Sequence, residues 1–181
     1  MKKLLVTNIL GAVFLTALLG CATTPRDNQG AMKQGAQDAI AEFRRVDPDI
    51  DAFFKSAVGY AVFPNIGKGG VVFGGSYGRG VVYERGTPVG WCAVRHGSFG
   101  LQLGGQSFSQ IIFFEDARTL ANFKVGKLEL AANASAVAIK QGVAASTDYE
   151  QGVAIFVAPR GGLMVEAAVG GQKFSYEPAG R

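Results

Sequence analysis

Past residue 30 the apolar positions recur first at helical and then at strand spacing. Met32, Ala36, Ala39, Ile40 and Phe43 fall three and four residues apart, with Lys33, Gln37, Glu42 and Arg44 between them, which predicts an amphipathic helix over 32–46. Asp47-Pro48 then supplies a cap with proline at the first helical position, and Ile50, Phe53, Phe54 and Ala57 mark one face of a second short helix. From Val58 onward, β-branched and aromatic runs are separated by glycine, the punctuation of antiparallel strands and tight turns. Strands are predicted near 59–64, 69–75, 79–84, 89–95, 98–106 and 109–114, and a helix over 115–124 with Asp116 near its start. Further strands are predicted near 126–138, 152–158, 162–169 and 172–176, the first of them in an alanine-rich stretch whose propensity favours helix. This pattern predicts an α+β fold: a single domain on a curved antiparallel β-sheet, sandwich-like or barrel-like, with two or three short helices.

The start of the chain obeys a different pattern. Lys2 and Lys3 precede an apolar run from Leu4 to Leu19 that ends in Leu18-Leu19-Gly20-Cys21. A charged start, an apolar segment and a cysteine after a small residue describe a lipoprotein signal. The run of 16 residues, which includes Thr7, Asn8, Gly11 and Thr16, falls short of a membrane-crossing helix, which needs roughly 20 apolar residues. Residues 1–20 are therefore expected to be removed. Cys21 would be acylated on its thiol and its new amino group, each buried CH₂ adding about 0.8 kcal/mol of membrane affinity. Ala22 stands where an inner-membrane retention signal of bacterial lipoproteins places aspartate, so the expected location is the outer membrane, lipid-anchored and facing the periplasm. Residues 21–30 are polar and aperiodic, as a tether is, leaving 31–181 as the domain.

Charge narrows the partners. Without the signal, 16 Lys and Arg face 14 Asp and Glu, a net charge of +2 where the whole chain has +4. That gives no global case for nucleic acid, while a local basic patch remains able to meet anionic lipid. With Cys21 acylated, Cys92 is the only thiol left, so no internal disulfide is expected. Cys92 shares a strand face with Val94 and reads as a small buried hydrophobe.

The glycines raise the question of phosphate loops. Gly67, Gly69, Gly70, Gly74, Gly75, Gly78 and Gly80 fall close together, yet none fits a P-loop, and none forms G-x-G-x-x-G between strand and helix. Set among Val71, Val72, Phe73, Val81, Val82 and Tyr83, they read as sites of sharp bends, bulges and close backbone approach. His96, the single histidine, stands before Gly97 at an expected turn, where a surface or capping role is predicted. Ser98 and Ser107 lack a nucleophile-elbow context, and Asp148 and Glu150 read as solvated loop acids. The expectation is a protein that is not an enzyme, with no metal and no cofactor.

Three blocks carry a resemblance: Phe63-Pro64-Asn65-Ile66-Gly67-Lys68-Gly69-Gly70, Gly74-Gly75-Ser76-Tyr77-Gly78-Arg79-Gly80, and Gly97-Ser98-Phe99-Gly100-Leu101-Gln102-Leu103-Gly104-Gly105-Gln106-Ser107. In this order they resemble the SYLF-domain family over roughly Ala36 to Tyr176. The resemblance implies a non-enzymatic domain that binds phospholipid, with anionic head groups and phosphoinositides favoured in the eukaryotic branch of the family. Independently of the family, Lys33, Arg44 and Arg45 flank the stripe of the first helix, which suits either a head-group boundary or packing onto the domain's own core. Lys68, Arg79, Arg160 and Lys173 lie near glycine-rich turns, where a cation and backbone N–H groups together can hold a phosphate. The expected function is lipid sensing or envelope organisation by a membrane-anchored phospholipid-binding lipoprotein. The alternative is a structural module for an envelope protein partner, with no lipid site of its own.

Overall fold

A computed structural model of the chain describes residues 25–70, 73–99, 106–128, 130, 136–160 and 171–180. Cys21 and the signal segment, the strand expected at 162–169 and most of the glycine-rich block at 98–106 lie outside the described residues. Ala31–Arg181 forms one compact unit.

Helix α1 spans Pro25–Val46 and opens on a proline, whose fixed φ suits a first helical position. The polar stretch 25–30, expected as part of a tether, is therefore helical: its polar side chains give no apolar period, but nothing in them stops a helix once proline has set its start. A 3₁₀ turn, Pro48–Ile50, leads into α2, Asp51–Ser56, with Asp47 as the predicted cap accepting the Asp49 N–H at 3.3 Å. Four long strands follow: β1 Gly59–Gly70, β2 Phe73–Glu84, β3 Thr87–Phe99 and β4 Gln106–Phe114. The strand expected at 69–75 instead straddles the end of β1 and the start of β2, and the one expected at 79–84 is the second half of β2, which runs on through Gly74, Gly75 and Gly78 because glycine bends and thins a strand without ending it. The β2–β3 hairpin closes on Arg85 and Gly86, both at positive φ (47° and 79°), as a tight two-residue turn requires.

Helix α3, Ala117–Lys124, starts two residues later than predicted, at the point where Asp116 accepts the Thr119 N–H at 2.9 Å. Among the described residues of the alanine-rich stretch after it, β5, Val137–Ala138, is a strand, and it runs parallel to β6, Val153–Pro159; Glu129 and Ala131 to Ser135 lie outside the described residues. β7 is Lys173–Pro178. The sheet order is β5-β6-β4-β1-β2-β3-β7, antiparallel except at β5. The α+β fold on a curved, mostly antiparallel sheet is therefore as predicted.

Both faces of the sheet are buried at its base. On one face Ala36, Ala39, Ile40 and Phe43 of α1, with Ile50 and Phe53, cover Tyr60, Val62, Val81, Tyr83, Ile111, Phe113 and Phe156. The Phe53 ring lies tilted against Phe113 and edge-to-face against Phe156, at centroid distances of 5.4 and 5.1 Å; such pairs contribute about 0.5–1.5 kcal/mol each beyond their buried area. The helical stripe thus packs onto its own domain, which decides the question the sequence left open.

The opposite face curls inward. A flat sheet would set β4 and β7, with three strands between them, roughly 19 Å apart. Yet Gln110 of β4 donates its amide to Gln172, next to β7, at 3.1 Å, and Phe63 of β1 lies 6.2 Å from Phe174 of β7. α3 plugs the hollow through Leu120 and Phe123, against Ile112, Phe114, Ile155 and Phe174. Such curvature needs strands without side chains on the concave face: a Cβ on Gly78 would lie 2.6 Å from the Ile66 side chain, and one on Gly80 would strike the Val62 carbonyl. Close approach was the predicted use of these glycines.

Candidate functional site

The functional geometry lies where β1, β2, β3 and β7 run on beyond the packed base. Alternation sends successive residues to opposite faces, and the antiparallel register lines them up in rows across the sheet. On the concave face one row reads Phe108, Ile66, Gly78, Val94, Phe174, apolar throughout. The next row outward reads Lys68, Ser76, His96. Within one strand step the lining changes from hydrocarbon to a cation, a hydroxyl and an imidazole.

His96 corrects an expectation. It sits inside β3, pointing to the same side as Cys92 and Val94, not in a turn, and its Nδ1 is buried without a hydrogen-bond partner. The run Gly97-Ser98 looks like a turn in sequence, but β3 continues through it paired to β2. Cys92, by contrast, is the buried thiol that was predicted, its pKa pushed up by burial.

The convex face carries a second row, Gly67, Tyr77, Arg95, Lys173, with Arg79 one step further in, opposite Asn65 and Ala93. Tyr77 is 51% exposed, and Arg79, Arg95 and Lys173 are exposed. The Arg95 guanidinium lies over the Tyr77 ring at 5.9 Å. Arg95 and Lys173 stand directly opposite each other across the strand pair, a like-charge placement that destabilises a sheet. None of the three ion pairs among the described residues involves these cations.

The remaining basic candidates are otherwise engaged. Arg44 donates to Asp51 at 2.7 Å and covers the Phe54 ring at 4.4 Å; Arg45 donates to Glu42 at 2.6 Å. Lys33 lies over Trp91 at 5.6 Å. Arg160 donates to the Pro64 carbonyl at 3.0 Å and lines a groove of about 380 Å³ with Asp38 and Glu42, two carboxylates that would repel a phosphate. The structure therefore separates the seven cations picked from the sequence: Arg79 and Lys173 share the convex patch, Lys68 sits alone on the concave row, and Lys33, Arg44, Arg45 and Arg160 hold parts of the protein to one another. Arg95 was missed. Its signal was its odd position relative to Cys92 and Val94, which puts it on the face of Arg79.

Among the described residues no helix is long and apolar enough to cross a membrane. No group of three or more His, Cys, Asp or Glu able to hold a metal ion occurs among them either.

Fold and rows together define a single curled-sheet α+β unit with polar rows at its open end and no family model that matches it. A curated relative is Beta cell expansion factor A of Aeromonas veronii, 26% identical over 152 residues, an alignment covering 83% of this chain. The chain spans 58% of that relative's length.

Proposed function

We propose that this chain is a SYLF-type phospholipid-binding lipoprotein, non-enzymatic, anchored through acylated Cys21 to the outer membrane, whose domain docks anionic head groups on its convex row. The observation that carries the reading is the unpaired like-charge placement of Arg95 and Lys173, with Arg79 and the exposed Tyr77 beside them. Among the described residues no carboxylate pairs with these cations; holding them together costs stability in the free protein, and an anionic surface offsets that cost at about 1 kcal/mol per basic residue. Tyrosine, apolar in its body and polar at its tip, suits the head-group layer. Tethering at Cys21 raises the local concentration of lipid, so even a weak patch is occupied and can serve lipid sensing or envelope organisation.

The test is co-sedimentation of residues 22–181 with phosphatidylcholine vesicles and with vesicles containing phosphatidylglycerol, at low and high salt. Binding that needs the anionic lipid, weakens with salt and is lost on combined Arg79→Glu, Arg95→Glu and Lys173→Glu substitution is expected. Undiminished binding by that variant would overturn the docking surface. No binding to any vesicle would leave Cys21 as the sole membrane contact and favour a protein-interaction module.

A further inference from the structure

The concave row is a separate feature from the convex patch, and the two face opposite ways from the same strands. Lys68 is directly opposite Ser76, and Ser76 directly opposite His96, so three side chains converge from neighbouring strands on the inside of a curl. Ser76 is 8% exposed and Lys68 half-buried. Gly171, at φ 75°, brings its turn against the imidazole: a Cβ there would lie 3.8 Å from His96 Nδ1. The next residue, Gln172, is 3% exposed and exchanges amide hydrogen bonds with Gln110 at 3.1 and 3.3 Å. Each of those amides keeps a second N–H beyond the bond it makes to the other.

All of these groups offer donors, one is a lysine, and no carboxylate occurs in this row or in the apolar row beneath it. A buried Nδ1 without a partner is uncommon in a folded protein, because its desolvation goes uncompensated. Lysine, a hydroxyl and an imidazole converging at the rim of a curled sheet are the donor set that holds an oxyanion by charge-assisted hydrogen bonds.

We propose that Lys68, Ser76 and His96 form a phosphate-binding site on the concave face, distinct from the convex docking surface. The ligand is a phosphate oxyanion, carried by a lipid head group or free in solution. Lys68 neutralises its charge, and Ser76 and His96 donate to its oxygens. The Gln110–Gln172 pair braces the side of the site next to His96. This goes beyond membrane docking, since it requires a single bound group inside the curl and not a surface attraction.

Because His96 is the single histidine, its ring nitrogens give an unambiguous NMR signal. The full chain, held in dodecyl maltoside micelles in a phosphate-free buffer, is titrated with inorganic phosphate and, separately, with phosphatidylglycerol. The ¹⁵N resonances of His96 are expected to move in a saturable way. A response to inorganic phosphate identifies a small-anion site, and a response to the phospholipid alone identifies a head-group site. Lys68→Gln should weaken the apparent affinity by about tenfold, and Ser76→Ala by less. A His96 signal that responds to neither ligand, or that responds equally in Lys68→Gln, overturns the proposal. The combined reversal at Arg79, Arg95 and Lys173 separates the two sites: it should abolish vesicle docking and leave the His96 response to inorganic phosphate intact.

Discussion

The base and the open end of the sheet are built from the same strands and obey opposite rules. At the base, Val62 and Phe113 face α1 and α2 while Ala61 and Ile112 face the hollow plugged by α3, so alternate residues are apolar in both directions. Further along, the same alternation sets the exposed Tyr77 and Arg95 on one side and Ser76 and His96 on the other. What changes along a strand is the cover, not the backbone. The packed base therefore positions both polar rows, and loss of the base should remove both rows at once, whereas changes in a row should leave the base standing.

The largest effect expected follows from the base. Phe113 is fully buried and touches Phe53, Phe54, Tyr60 and Phe156. Phe113→Ala leaves a cavity among rings already locked by α1 and α2, and should cost about 3–5 kcal/mol in urea denaturation. A loss below 1 kcal/mol would mean that the aromatic cluster does not set the position of the helices.

Asp47 ranks second, because it joins the end of α1 to a distant turn. Its carboxylate is fully buried and accepts the Ala144 N–H at 2.7 Å as well as that of Asp49. Burial acts to raise its pKa, but the N–H groups of Ala144, Gly142, Asp49 and Val143 outweigh burial and hold it below the ordinary aspartate value. A lowered folded pKa means that its stabilisation is complete above the ordinary value near pH 4 and is lost as pH falls through the lower, folded value. Asp47→Ala should cost about 2 kcal/mol at neutral pH, because it strands buried N–H donors. The same variant should flatten acid unfolding below pH 4, followed by circular dichroism; an unchanged acid limb would show that other carboxylates control it.

These two regions also differ in how far the sequence reveals them. The capping of the Pro48–Ile50 turn by Asp47, the burial of Cys92 and the apolar face of α1 were legible, because local chemistry decides each of them. The glycine-rich strands were cut into pieces by a reading that treats glycine as punctuation, while their pairing continues through Gly74, Gly75 and Gly78. The site suffered from the same error. Once β2 and β3 are broken into short strands the parity between Arg79 and Arg95, or between Ser76 and His96, is lost, and cations can only be picked by composition. Arg44 and Arg45 looked available for the same reason: nothing local announces that Asp51 and Glu42 will hold them.

A single change in the convex row should have a smaller effect than either base variant, and on binding alone. Arg95→Gln removes one of the opposed cations while keeping a side chain of similar reach over Tyr77. Affinity for phosphatidylglycerol vesicles should fall by about 1 kcal/mol, near fivefold, and the fall should shrink at high salt. Because the like-charge contact with Lys173 is relieved, the thermal midpoint should hold or rise slightly. A lower midpoint with unchanged vesicle affinity would assign Arg95 to the fold and remove it from the docking row.

Arg45→Gln sets the lower limit of the comparison. Arg45 is exposed on α1 and paired to Glu42 within the same helix, so its neighbours in space are also its neighbours in sequence. Exposed pairs of this kind exchange protein contacts for water at little net gain, and salt screens what remains. Neither the thermal midpoint nor vesicle affinity should change measurably. If vesicle affinity falls as far as in Arg95→Gln, α1 itself meets the bilayer with its polar side, and docking extends from the strand row onto the helix that covers the base.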